Sequence, residues 1–156
     1  MKKLSLICFS GDFDKMVAAF TLATGAAAVN YEVNVFFTFW GLNIIKQARS
    51  RRMIGRGAMA RAFNYLSGGF SNLPMSRLNM LGASPKIMTG LMKKRNVATL
   101  DELAQAAIAL RVNLFACEMS MNILGMDVRD FVPQIKEVVG VAKFLEIAEG
   151  GQTLFI

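Results

Sequence analysis

Three short apolar runs limit the architecture before anything else does. Leu4–Phe9 is nearly continuous apolar, Tyr31–Phe39 is rich in Val and Phe, and Val112–Ala116 reads as a short buried strand. Runs of this kind suit strands of a parallel sheet, buried on both faces. Each run closes on small or polar residues and gives way to a helical pattern. After Lys2–Ser10 comes Gly11-Asp12, with Asp12 placed to cap a helix over Phe13–Val29. Phe13, Met16, Val17 and Phe20 recur there at helical spacing. Tyr31–Phe39 is the second strand, and a short helix is expected over Leu42–Ala48. Strand, helix, strand predicts a right-handed parallel unit.

The later chain continues the alternation. Ser84-Pro85 opens a helix with Ile87, Met88, Leu91 and Met92 as its apolar stripe. Thr99–Glu102 is a capping box that starts a helix to about Leu110. The third strand runs straight into a helix ending at Leu124-Gly125. Asp127 is placed to cap a short turn before Pro133. Ile135–Val139 reads as a strand and Val141–Ala148 as a helix with Phe144, Leu145 and Ala148 inward. Thr153–Ile156 reads as a last buried strand. Together these predict an α/β fold in one domain over residues 1–156.

The segment from about 49 to 83 departs from that pattern. It mixes Arg51, Arg52, Arg56, Arg61 and Arg77 with Met53, Met59, Met75 and Met80. Ala58–Leu66 is helical in spacing, with Met59, Phe63 and Leu66 on one face and Gly68-Gly69 ending it. It reads as an insertion between sheet elements, too short and too broken to hold its own core. The charge map is one-sided. Between Glu32 and Asp101 there are 11 Lys and Arg and no acid, while the remainder holds 7 basic and 11 acidic residues, or −4. That asymmetry calls for an anionic partner: a membrane surface, an acidic protein or nucleic acid. No nucleic-acid recognition motif accompanies it, so nucleic acid is not expected.

Composition removes several chemistries. There is no histidine, and Cys8 and Cys117 are the only cysteines. A Ser–His triad and a cysteine or histidine metal cluster are therefore excluded. Ser10-Gly11-Asp12 lacks a phosphate-loop pattern, and Asp12 and Asp14 would repel phosphate. No cofactor and no metal are expected. The longest apolar run, Met16–Val29, is too short to cross a membrane, and no signal-type segment follows Lys2-Lys3. The expected location is the cytoplasm.

What remains is thiol chemistry, carboxylate or lysine chemistry, or none, and Cys117 is the candidate for the first. It sits at the turn from the third strand into a helix, where helix N–H groups favour a thiolate. The alternative is a small apolar residue packed in a turn. Cys8 lies inside an apolar strand and reads as core. A Cys8–Cys117 disulfide stays open on sequence, since it depends on whether their strands are neighbours. Ligands of parallel sheets bind beyond the carboxyl ends of the strands, which are here Ser10–Asp12, Thr38–Gly41 and Cys117.

Three segments together resemble the DsrE/DsrF-like family of sulfur-carrier proteins: Ser10–Val29, Phe36–Ile45 and Ala116–Met126. Leu78–Gly82 and Val139–Ile156 resemble a branch with a Met-rich central insertion. The resemblance implies a three-layer α/β/α domain of flavodoxin-like, DsrE-like type, with a parallel sheet of about five strands. It implies homo-oligomers and a cysteine that carries sulfane sulfur as persulfide or thiosulfonate, with small sulfur compounds or donor and acceptor proteins as partners. The matching position is Cys117. Gly11, Asp12, Thr38, Trp40, Gly41, Met119 and Ser120 are the expected pocket wall. The basic insertion is then free to cover the cysteine, form the oligomer contact, or dock a protein or the periphery of a membrane. A non-enzymatic adaptor that docks through this insertion, with Cys117 purely structural, is the competing reading.

Overall fold

The computed structural model describes residues 2–47 and 52–156. Five parallel strands form one sheet in the order β4-β3-β2-β1-β5. They are β1 Lys3–Cys8, β2 Glu32–Phe37, β3 Asn113–Cys117, β4 Ile135–Val139 and β5 Gln152–Phe155. The helices are α1 Phe13–Ala28, α2 Ala58–Ser67, α3 Ser84–Lys94, α4 Leu100–Ala109, α5 Glu118–Ile123 and α6 Val141–Ala148. The predicted α/β fold with a parallel sheet of five strands is therefore present.

The two faces of the sheet carry separate cores. Leu4, Leu6, Cys8, Val35, Phe37, Leu114 and Ala116 face α1 and α4, where Met16, Phe20, Ala23, Leu100 and Ala107 meet them. Ala19 and Ala23 of α1 are small enough to let the helix lie close to the strands. On the other face Phe36, Phe115, Cys117 and Val139 pack under Phe144 and Ala148 of α6. The alternation of side chains along each strand sends neighbouring residues to opposite cores.

Several local expectations shift. The helix expected over Leu42–Ala48 is a 3-10 segment at Phe39–Ile44, after which Lys46 bridges antiparallel to Phe131. Ala48, Arg49 and Arg51 lie outside the described residues. Ser84 is the first residue of α3 rather than its cap, and its hydroxyl donates to the Leu78 carbonyl. The last strand is not buried. β5 is an edge strand with all four residues exposed, because it pairs only with β1.

The apolar stripes of α2 and α3 turn outward. In α2 the buried residue is Asn64, while Met59 and Leu66 are 86% and 67% exposed. Asn64 Nδ2 donates to the carbonyls of Ala60 and Leu124, each at 2.9 Å. In α3 only Met92 is buried, and Ile87, Met88 and Leu91 face solvent. Of the α6 residues expected inside, Phe144 and Ala148 are buried and Leu145 is exposed.

Candidate functional site at the carboxyl ends of the strands

Cys117 is the last residue of β3 and the N-cap of α5. Its register partner is Val139, the last residue of β4. The chain parts at this pair. After β3, Met121 of α5 packs toward the α1 side, whereas α6, after β4, covers the opposite face. Adjacent strands whose connections leave to opposite faces open a crevice at their carboxyl ends, and ligands of such sheets bind there. Glu118 is exposed next to this point. Its Oε2 lies 3.9 Å from where a Cβ on Gly140 would stand, at the start of α6.

The thiol itself does not open into that crevice. Cys117 has no exposed surface, and it shares the α6-side core with Phe36, Phe115, Val139 and Phe144. Phe144 stacks on Phe36 at 4.5 Å and meets Phe115 edge-on at 6.1 Å. The sequence expectation of a thiol turned toward the helix N–H groups is thus corrected. Cys117 caps α5 by position, with no side-chain hydrogen bond, and α5 has only six residues.

Cys8 faces the opposite core, beneath α1. Burial pushes its thiol up to about 12, so it stays protonated at neutral pH. β2 lies between β1 and β3, and the two thiols point to opposite sides of the sheet. A disulfide between them is excluded in this fold, and both cysteines are free.

The expected pocket residues divide into two groups. Gly11, Asp12 and Trp40 line a cavity of about 720 Å³ at the ends of β1 and β2, with Ser10, Lys15 and Asn43. Ser10 Oγ donates to Asp12 Oδ2 at 2.6 Å, and Lys15 Nζ stands 3.3 Å from the same carboxylate oxygen. Thr38 and Ser120 form the second group. Their hydroxyls are 2.9 Å apart and tie the end of β2 to α5. Met119 is exposed beside them. Cys117 does not line the large cavity.

Gly41 holds the rim together. A Cβ there would stand 2.1 Å from the Cys8 carbonyl oxygen, so only glycine lets the loop after β2 lie on the end of β1. Its N–H donates to the carbonyls of Phe9 and Thr38. Gly11 is similarly close, with a would-be Cβ 2.8 Å from the Trp40 carbonyl oxygen. Sequence reasoning missed what this packing creates, a row of rings along the rim. Phe155, Phe9, Phe39, Trp40 and Phe63 meet in succession at 5.8, 5.5, 5.6 and 5.3 Å. The cluster of aromatics at Phe36–Trp40 was the available signal.

Among the described residues no helix is long and apolar enough to cross a membrane, and no group of three His, Cys, Asp or Glu could hold a metal ion.

An all-parallel five-stranded α/β domain defines the class of protein by its fold, and the comparisons agree with that fold. The family model described as DsrE/DsrF/DrsH-like matches residues 1–155. The chain belongs to that family. It is 37% identical over 157 residues to the uncharacterized protein YrkE of Bacillus subtilis, covering 99% of this chain and 97% of that protein. It is 32% identical over 149 residues to the sulfur carrier protein DsrE2 of Allochromatium vinosum, covering 94% and 92%. Two solved structures share the fold over 100% of both chains. One is the protein of unknown function MTH1491 from Methanobacterium thermoautotrophicum, at TM-score 0.54 and 13% identity. The other is the ychN protein from E. coli, at TM-score 0.52 and 12% identity.

Proposed function

We infer that this protein traffics sulfur in the cytoplasm, carrying sulfane sulfur on Cys117. The observation behind the reading is the position of that thiol at the Cys117–Val139 parting of strands, in a chain whose relative is a sulfur carrier. In the transfer, the Cys117 thiolate attacks the outer sulfur of a donor persulfide. A new bond to Sγ forms, the donor S–S bond breaks, and the donor leaves as its thiolate. Transfer to an acceptor thiol reverses these roles. No net oxidation occurs and neither histidine nor metal is needed.

A sealed thiol must be uncovered for this. The cover is the first turn of α6, which Phe144 anchors against Phe36 and Phe115. Val141 and Leu145 on the same helix are 50% and 55% exposed, so α6 is held from one side only. Lifting it exposes Cys117 without unfolding the sheet. The pocket role of Gly11, Asp12, Thr38, Trp40, Gly41, Met119 and Ser120 stays with this reading.

The outward apolar faces support a docking role in addition. Met59, Leu78, Leu81, Ile87 and Leu91 are all half to fully exposed, in a segment that itself holds cations and no acid and that Asp14 of α1 reaches through Ser76. Leu78, Met80 and Leu81 adopt left-handed backbone angles of 52°, 44° and 55°, which are costly for side chains with a Cβ. A second copy of the chain, an acidic donor or acceptor protein, or a peripheral membrane contact would cover this surface. Loading the protein with polysulfide and weighing it intact tests the carrier reading, with Cys117→Ser as the comparison.

A further inference from the structure

The crossover after β2 buries a charge that the sulfur chemistry does not use. Lys46 is 1% exposed, among the largest fully buried side chains of the molecule. Its Nζ donates to the Gly68 carbonyl at 3.1 Å. Among the described residues it makes no other hydrogen bond and no ion pair. An ammonium has three protons to donate, and burying one with no direct ion pair is expensive. Desolvation lowers the amine to about 8, and the charge of Asp130 opposes that only in part. At neutral pH the fold therefore keeps a cation inside.

Lys46 also lines a cavity of about 220 Å³, between α4 and the segments flanking the Lys46–Phe131 bridge. The remaining wall is largely apolar: Phe20, Ile44, Ile108, Leu114 and Val132. A water and a methylene group are each about 30 Å³ or less, so the space holds a chain of about six to eight carbons. Gln105 and Gln134 supply amides, and Asp101 stands in the wall as a carboxylate. Among the described residues Lys46 is the cation of this wall, and a cation beside apolar surface is the complement of an amphiphilic anion. A tether for the Gly68 carbonyl alone would not require a charged donor.

We propose that the Lys46 cavity is a binding site for a medium-chain aliphatic carboxylate, with its head group on the Lys46 ammonium and its chain along Phe20, Ile44 and Leu114. The site is separate from Cys117, which packs on the other face of the sheet. The carboxylate is charged above about pH 5, and the ammonium is charged below about pH 8. Binding is therefore strongest between these values and falls as pH rises past 8. Asp101 and Asp130 are the carboxylates near this amine.

The test is calorimetric titration of the full chain with sodium octanoate, with 1-octanol and octylamine as uncharged and cationic probes. The expected result is submillimolar octanoate binding, no octylamine binding, and at least tenfold weaker octanoate binding in Lys46→Met. Wild type that ignores octanoate, or Lys46→Met that binds it equally well, overturns the proposal. Should Lys46→Met fail to fold, Ala104→Phe fills the cavity from α4 while keeping the amine, and it must abolish binding. Lysine-selective NMR of wild type gives a second readout: octanoate must raise the Lys46 titration midpoint, and an unmoved midpoint contradicts the site.

Discussion

Phe144 lies on Phe36 with ring centroids 4.5 Å apart and planes within 13°, and this stack closes the core that holds Cys117. Truncating it tests whether α6 is the cover. In a Cys8→Ala background, Phe144→Ala should raise the rate at which Cys117 reacts with a thiol-specific disulfide reagent by at least tenfold. It should also cost about 3–5 kcal/mol of stability, as loss of a buried ring does. An unchanged reaction rate would place the cover elsewhere.

Gly41 and Gly25 should respond in opposite directions to the same substitution. Gly41→Ala drives a Cβ into the Cys8 carbonyl oxygen, where 2.1 Å is available. Urea unfolding should show a loss of more than about 2 kcal/mol. Gly25 sits within α1 and nothing lies within 4 Å of its would-be Cβ. Gly25→Ala should gain about 0.5–1 kcal/mol from helix propensity. Equal effects at the two positions would contradict the close approach at Gly41.

The buried amine predicts an unusual pH dependence of stability. Lys46 holds its proton less tightly folded, at about 8, than unfolded, at about 10.5. The unfolded chain therefore binds more protons in this interval, and stability rises with pH from about 8. The full effect is up to about 3 kcal/mol. Cys8 works the other way above its ordinary value of 9.0, because burial holds its proton on to about 12. The clean window is pH 8 to 9. Chemical denaturation should show the rise in wild type and its absence in Lys46→Met.

The exposed faces of α2 and α3 predict association. Sedimentation at increasing concentration should show the protein forming oligomers. Replacing Ile87 and Leu91, 53% and 49% exposed, by Glu should shift it toward monomer while leaving the fold intact. Unaltered sedimentation would assign that surface to a different partner.

The fold was legible because its signals are local. Leu4–Phe9 and Ile135–Val139 declare strands by composition, and Thr99 with Glu102 declares a helix start that the structure keeps as a capping box. The partition of side chains between two cores was not legible, because it depends on strand order. Sequence could not show that β2 separates Cys8 from Cys117. Nor could helical spacing tell that Met59, Leu66, Ile87 and Leu91 form outward faces, since an apolar stripe looks the same whether it meets a core or a partner. Lys46 escaped notice because a lysine at the end of an apolar run reads as its solvated boundary.

Intact mass after exposure to polysulfide, with variants of each cysteine, tests the carrier reading most directly. Wild type and Cys8→Ser should gain sulfur in 32 Da steps that a reductant removes, and Cys117→Ser should gain none. Equal loading of Cys117→Ser would contradict sulfur transport on that residue and leave the docking surface as the protein's working part.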